Sequence, residues 1–255
     1  MAESIISKNS HQRTGASGNR RSKGGKHSFQ PSRIQLEVTE SQVEDENVKD
    51  EKLIYKYIQR MDFEELRKHL NATRTTINIM KIHDKSGYTP MHYASYKNMY
   101  QASKVLIDFV LQDFSSTTET TPGGETNKPA KEIPPSFFGR NHEERKQNLQ
   151  NWLNEASTGD DGFTALHFAS FHGNMQIVKL LVEYGADIHA RTKAGINMLH
   201  VSAQGDQPVS LVYFLDKGLD INAEENRGSS PLHWAAFSGS ELTLNYIVSY
   251  GGNVH

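Results

Sequence analysis

Gly162–Ser170 reads GFTALHFAS, Gly195–Ala203 reads GINMLHVSA and Gly228–Ala236 reads GSSPLHWAA, three stretches that align without a gap at an interval of 33 residues. His167, His200 and His233 keep that phase, and so do Gly185, Gly218 and Gly251 toward the end of each unit. A fourth copy, GYTPMHYAS, begins at Gly87, which lies 75 residues before Gly162, or one period plus an insertion of 42. Positions of unlike chemistry that recur in register over consecutive units mark a repeat architecture, so the period decides the fold before any single element does.

Each recurring position has a mechanical reason. Thr89, Thr164 and Ser230 stand where a side-chain oxygen caps a short helix, and Pro90 and Pro231 follow in the first turn, where no amide donor is needed. Met91, Leu166, Leu199 and Leu232 open an apolar face that Ala94, Ala169, Ser202 and Ala235 continue three residues later. Gly173 and Gly239 supply a left-handed turn between two helices, with Asn98 in that place in the first copy. The third copy departs. Gly205 comes one position early, and Asp206 is expected to cap the following helix, with Pro208 in its first turn. Second helices follow at Ile177–Leu181, Leu211–Phe214 and Leu244–Val248, each closed by its recurring glycine.

These residues resemble the ankyrin repeat, with its T-P-L-H opening and G-A-D-I-N close, over about 170 positions. The resemblance implies an all-α ankyrin-repeat solenoid of helix–turn–helix units with β-hairpin tips. About four repeats are expected over residues 84–255, interrupted by an insertion at 115–157. Residues 48–80 carry Leu53, Ile54, Tyr57, Ile58, Phe63, Leu66 and Leu70 at helical spacing and read as degenerate capping helices over the open end of the stack. The insertion begins as a Thr-, Pro- and Gly-rich coil. It ends in 141–156, a helix whose apolar face is Leu149, Trp152 and Leu153, expected to dock back on the stack or to grip a partner.

The remainder is solvated. Hydrophobic residues make up 36% of the 255 residues, and the mean hydropathy is −0.65. Residues 1–33 hold seven Lys and Arg against Glu3, and residues 34–51 hold seven carboxylates against Lys49. Both stretches lack the aliphatic content to fold, so 1–47 reads as a disordered tail, basic then acidic. The basic half is compatible with RNA or an acidic surface, yet only Phe29 interleaves its charges, so nucleic acid is not the expected partner. With no cysteine, disulfides, thiolate metal sites and cysteine nucleophiles are excluded. The Met1 end lacks the apolar core of a signal peptide, and no run of 18 apolar residues occurs. The expected location is cytoplasmic, and the Asn71-Ala72-Thr73 triplet reads as a chance sequon.

No catalytic constellation and no cofactor or small-molecule site emerges. Twelve histidines invite a metal reading, but His92, His167, His200 and His233 lie on successive helices about 8–10 Å apart. Zinc ligands sit at about 2.0–2.1 Å, so these four cannot share an ion, and no metal is expected. Their role implied by the resemblance is structural, a hydrogen-bonding brace at the start of each repeat. What remains is surface for other proteins. In ankyrin repeats binding uses the finger tips, here Lys85, Asp160, Asp161, Lys193, Asn226 and Arg227, and a groove position on the first helix. That position holds Tyr96, Phe171, Gln204 and Phe237, and three aromatics in four are anchors for a partner or packing between repeats.

The stretch from Ala203 to Glu241 is also similar to the ankyrin segment of DHHC palmitoyltransferases, especially protist ones. That resemblance implies an alternative function, the substrate-recruiting front of a membrane acyltransferase on the cytosolic face of an endomembrane. Its family grips peptides with a Trp, matched here by Trp234, and an Asn one repeat earlier, where Gly205 stands. The closing GGNVH aligns with Gly185–His189, so a partner or further chain is expected over that last repeat.

Overall fold

The computed structural model describes residues 46–112, 138–159 and 161–254, all within one unit, Val43–His255. Nearly all of the expected tail, the Thr- and Pro-rich coil of the insertion and Asp160 lie outside the described residues. Among those residues there are eleven α-helices. They are α1 (Glu46–Arg60), α2 (Phe63–Ala72), α3 (Pro90–Tyr96), α4 (Tyr100–Leu111), α5 (His142–Leu153) and α6 (Ala165–His172). The rest are α7 (Met175–Glu183), α8 (Met198–Gln204), α9 (Pro208–Asp216), α10 (Pro231–Ser238) and α11 (Glu241–Ser249).

Two helical layers result. The short first helices α3, α6, α8 and α10 pack side by side, and the second helices α4, α7, α9 and α11 form a layer behind them. Helices α1 and α2 continue both layers by one pair, α1 against α3 and α2 against α4. They bury Ile54, Ile58, Leu66 and Leu70, the members of their apolar spacing that point at the stack. The core runs between the layers through Leu106, Ile107, Phe168, Leu181, Leu199, Leu211 and Phe214, none with accessible surface. A helix of seven or eight residues is marginal alone, so its stability comes from this burial and from its cap.

Helix α5 docks on the stack. The Asn141 side chain accepts the Glu144 N–H at 2.8 Å to start it, and Leu149, Trp152 and Leu153 are buried against the body, where α4 packs. At its far end Asn154 donates Nδ2–H to the Gly185 carbonyl at 2.9 Å and accepts the Asp187 N–H at 2.6 Å. The insertion thus returns the chain to the next finger through a helix locked to the end of α7. Three buried apolar side chains contribute on the order of 2 kcal/mol each to that docking.

Two local expectations change. The fingers contain no strand among the described residues. Neighbouring fingers share single main-chain bonds, Lys193 N–H to Asp161 O at 3.2 Å and Asn226 N–H to Ala194 O at 2.9 Å, where a sheet needs a ladder of pairs. They are turns rather than β-hairpins. In the third repeat Asp206 does not cap its own helix α9. It takes the left-handed turn itself, at φ 53°, and its carboxylate accepts the Thr243 N–H at 2.9 Å, so it caps α11 of the next repeat instead. The displaced Gly205 has ordinary φ, and a Cβ there would run into the Phe171 carbonyl oxygen.

Candidate functional site

The repeating histidines sit at the third position of each first helix, directly above the capping residue. In the first repeat, His92 Nδ1 accepts the Thr89 N–H at 3.2 Å and lies 2.7 Å from the Thr89 hydroxyl. An Nδ1 that accepts a backbone donor leaves the ring proton on Nε2, which gives it to the Phe163 carbonyl of the next repeat at 2.9 Å. His167 repeats this with Thr164 and the Ile196 carbonyl at 3.2 Å. His200 does so with Asn197 and the Ser229 carbonyl at 3.0 Å. Burial pushes all three rings down to about 4, so they stay neutral at physiological pH. His233 differs. It is exposed, holds the Ser230 N–H at 3.1 Å, and its Nε2 meets no carbonyl among the described residues.

The capping residue decides how well each brace closes. A Thr or Ser hydroxyl can donate its proton to Nδ1. Asn197 offers a carbonyl oxygen, which already accepts the Leu199 and His200 N–H groups at 3.0 and 3.2 Å. That oxygen stands 2.7 Å from Nδ1, and a neutral ring that gives Nε2–H to Ser229 has no proton to place between them. The third brace therefore carries an acceptor–acceptor contact that the hydroxyl-capped braces lack.

The four equivalent wall positions fare unequally. Tyr96 is half-buried, edge-on to Phe168 at 5.9 Å and to His172 at 5.6 Å in the next repeat, with the Lys97 ammonium 5.4 Å from its ring centre. Phe171 is half-buried beside His172, and Gln204 is half-buried as well. Phe237 is 76% exposed. Trp234, one turn earlier on α10, lies half-buried and edge-on to His200 at 5.8 Å. The structure thus joins Tyr96 to inter-repeat packing and leaves Phe237 in solvent.

At the finger tips Lys193, Asn226 and Arg227 are exposed, as are Lys85 and Asp161. Lys193 donates Nζ–H to Gly159 O at 2.7 Å, and Asn226 donates Nδ2–H to Lys193 O at 2.9 Å. Both side chains lace one finger to its neighbour. Among the described residues no three His, Asp or Glu side chains converge as a metal site would require, and no helix is long and apolar enough to cross a membrane. Sequence reasoning missed the apolar exposure at Val209 and Leu242, one period apart at the start of the second helices, and the odd cap Asn197. Each was visible as a departure from its equivalents, Gln176 for the first pair and Thr89, Thr164 and Ser230 for the second.

The ankyrin-repeat family model matches residues 161–193 and 227–255. Notch-regulated ankyrin repeat-containing protein of Homo sapiens is 40% identical over 72 residues, which are 28% of this chain and 63% of that protein. Its Danio rerio counterpart A is equally similar over 64% of its length. Protein phosphatase 1 regulatory subunit 27 of Homo sapiens is 47% identical over 53 residues, 21% of this chain and 34% of that protein. The chain therefore spans less than two thirds of the length of these relatives. With the two-layered stack above, the matches make the fold an ankyrin-repeat solenoid.

Proposed function

We propose that this chain is a protein-interaction scaffold whose partner docks along the wall of first helices, anchored at Phe237 and Trp234. One observation carries the reading: Phe237 presents a phenyl ring, 76% exposed, at the position where other repeats hold half-buried Tyr96 and Phe171. Exposed aromatic anchors are what interfaces bury, and truncating one typically costs about 2 kcal/mol or more of affinity. The relatives are a Notch-regulated protein and a phosphatase regulatory subunit by name, which supports a regulatory adaptor over a catalyst.

The acyltransferase-front reading rests on the similarity of the stretch from Ala203 to Glu241, in which Trp234 matches one half of the family's grip. At Gly205 the family's Asn has no room, because its Cβ would meet the Phe171 carbonyl oxygen.

The test takes partners captured by the full chain and measures affinity and melting temperature for Phe171→Ala, Trp234→Ala and Phe237→Ala. Weaker binding at unchanged melting for Phe237→Ala supports the wall. Binding lost only when Lys193 and Arg227 are exchanged moves recognition to the fingers and defeats the proposal.

A further inference from the structure

The fingers at 84–88, 192–196 and 225–229 close in one way. Asp84, Thr192 and Glu225 donate their N–H to the carbonyls of Tyr88, Ile196 and Ser229 at 3.0, 2.9 and 3.1 Å. Their side-chain oxygens accept the N–H of those same residues at 2.8, 3.1 and 3.2 Å. Inside each loop the glycine N–H is tied as well, Gly87 to Asp84 O at 3.0 Å, Gly195 to Thr192 O at 2.9 Å and Gly228 to Glu225 O at 2.9 Å. These last are the bonds that close a tight turn from its first residue to its fourth.

The finger where the insertion rejoins the stack is built otherwise. Gly159 stands at the place of Asp84, Thr192 and Glu225 and has no side chain to offer. Ser157, two residues earlier, takes over the closure. It donates its N–H to Phe163 O at 2.8 Å, and its Oγ accepts the Phe163 N–H at 3.1 Å. The loop is wider by those two residues, and the Gly162 N–H has no acceptor among the described residues.

This same finger carries an aspartate directly before its glycine. Asp161-Gly162 is the only Asp-Gly pair in the chain, which has no Asn-Gly, and Ser86, Ala194 and Arg227 hold the equivalent place elsewhere. Asp161 is exposed, and its carboxylate has no hydrogen bond or ion pair among the described residues. Its main-chain oxygen accepts the Lys193 N–H at 3.2 Å. That bond draws electron density out of the Asp161–Gly162 amide and makes the Gly162 proton easier to lose. Gly162 has no Cβ to hinder an approach to its nitrogen.

We propose that Asp161-Gly162 is a site of spontaneous isomerisation in the folded stack. The Gly162 nitrogen bonds to Asp161 Cγ, its proton and the carboxyl hydroxyl leave as water, and a cyclic succinimide forms. Water then opens the ring at the former main-chain carbonyl. The bond from Asp161 C to the Gly162 nitrogen breaks, with hydroxyl going to carbon and the proton to nitrogen. The product is isoaspartate, equal in composition to the starting chain, with the main chain rerouted through Cβ and Cγ. The oxygen that accepted the Lys193 N–H then belongs to a side carboxylate, so the main-chain strap between these two fingers is lost. In the other fingers the glycine N–H would have to leave its turn bond before such an attack.

The experiment incubates the folded full chain at neutral pH beside a blocked peptide of residues 157–163, and measures isoaspartate by peptide mapping with electron-transfer fragmentation. Conversion at 161 in the folded chain should keep pace with the peptide, and Asp161→Glu should lose the product, since its ring would be larger. Ala194→Asp and Arg227→Asp place the same pair in fingers whose glycine N–H is tied. With folding checked by the melting temperature, those new pairs should convert severalfold more slowly than Asp161-Gly162 in the same molecule. Equal conversion at 194 or 227 overturns the proposal. A folded chain that accumulates no isoaspartate at 161 while the peptide converts overturns it too.

Discussion

Acidification from pH 7 should unfold the stack well before its carboxylates titrate. His92, His167 and His200 are neutral and buried, each with a lone pair on the capping N–H and its one proton on the next repeat's carbonyl. In the unfolded chain each ring takes up a proton at its ordinary value of 6.5, whereas in the stack it resists protonation down to about 4. The folded state binds fewer protons between those limits, so the stabilisation is complete above pH 6.5 and is lost as pH falls through the window. At pH 5 each ring has cost about 2 kcal/mol, and the three together about 6 kcal/mol, comparable with the whole stability of a typical domain. The assay is urea unfolding of the full chain followed by Trp152 and Trp234 fluorescence, from pH 7.5 to 5. The free energy should fall by about 4 kcal/mol per pH unit at the steepest point, the slope for three protons taken up on unfolding. His167→Gln should reduce that slope by about one proton. A flat stability profile between pH 6.5 and 5 would refute the claim that these rings are buried neutral braces.

Other perturbations separate the repeats. Asn197→Thr replaces an acceptor facing His200 Nδ1 by a hydroxyl that can donate, and should raise the melting temperature by about 2–4 °C in a scanning melt. His200→Ala should cost about 1–3 kcal/mol in denaturant unfolding, whereas His233→Ala, at an exposed ring, should cost less than about 0.5 kcal/mol. Gly205→Ala drives a methyl into the Phe171 carbonyl and should destabilise by about 1–3 kcal/mol, again by denaturant midpoint.

The periodic features were legible because the same physical demand recurs every 33 residues. The caps at Thr89, Thr164 and Ser230, the glycines closing the second helices and the apolar faces could be checked against one another within the chain. Features that depend on the geometry between units were not legible. The main-chain distance between fingers decides turn or strand, and single bonds at Asp161 and Ala194 leave turns. Asp206 reads as a cap in sequence, but only the stack shows that the helix it caps belongs to the following repeat. The docking of α5 stood open until Leu149, Trp152 and Leu153 were seen buried. The wall was the hardest part, since Tyr96 and Phe237 are equivalent in sequence, and only the stack shows Tyr96 packed against Phe168 and His172 of the next repeat. Asn197 shows the converse: a single change of residue type at a repeated position predicts nothing by itself, yet its carbonyl oxygen at 2.7 Å from His200 Nδ1 creates the flawed brace.

A partner protein docked as proposed would lie on the first-helix wall at the end of α10, beside Phe237. A photo-crosslinking benzophenone residue placed singly at Phe237, at Arg227 and at His142 of the full chain tests it directly, with each variant irradiated in the presence of a partner captured by the unmodified chain. An adduct is expected from position 237 and none from 142, an exposed position at the start of α5, with the crosslinked partner fragment identified by mass spectrometry. Adducts from 227 with none from 237 would contradict it and place recognition on the fingers.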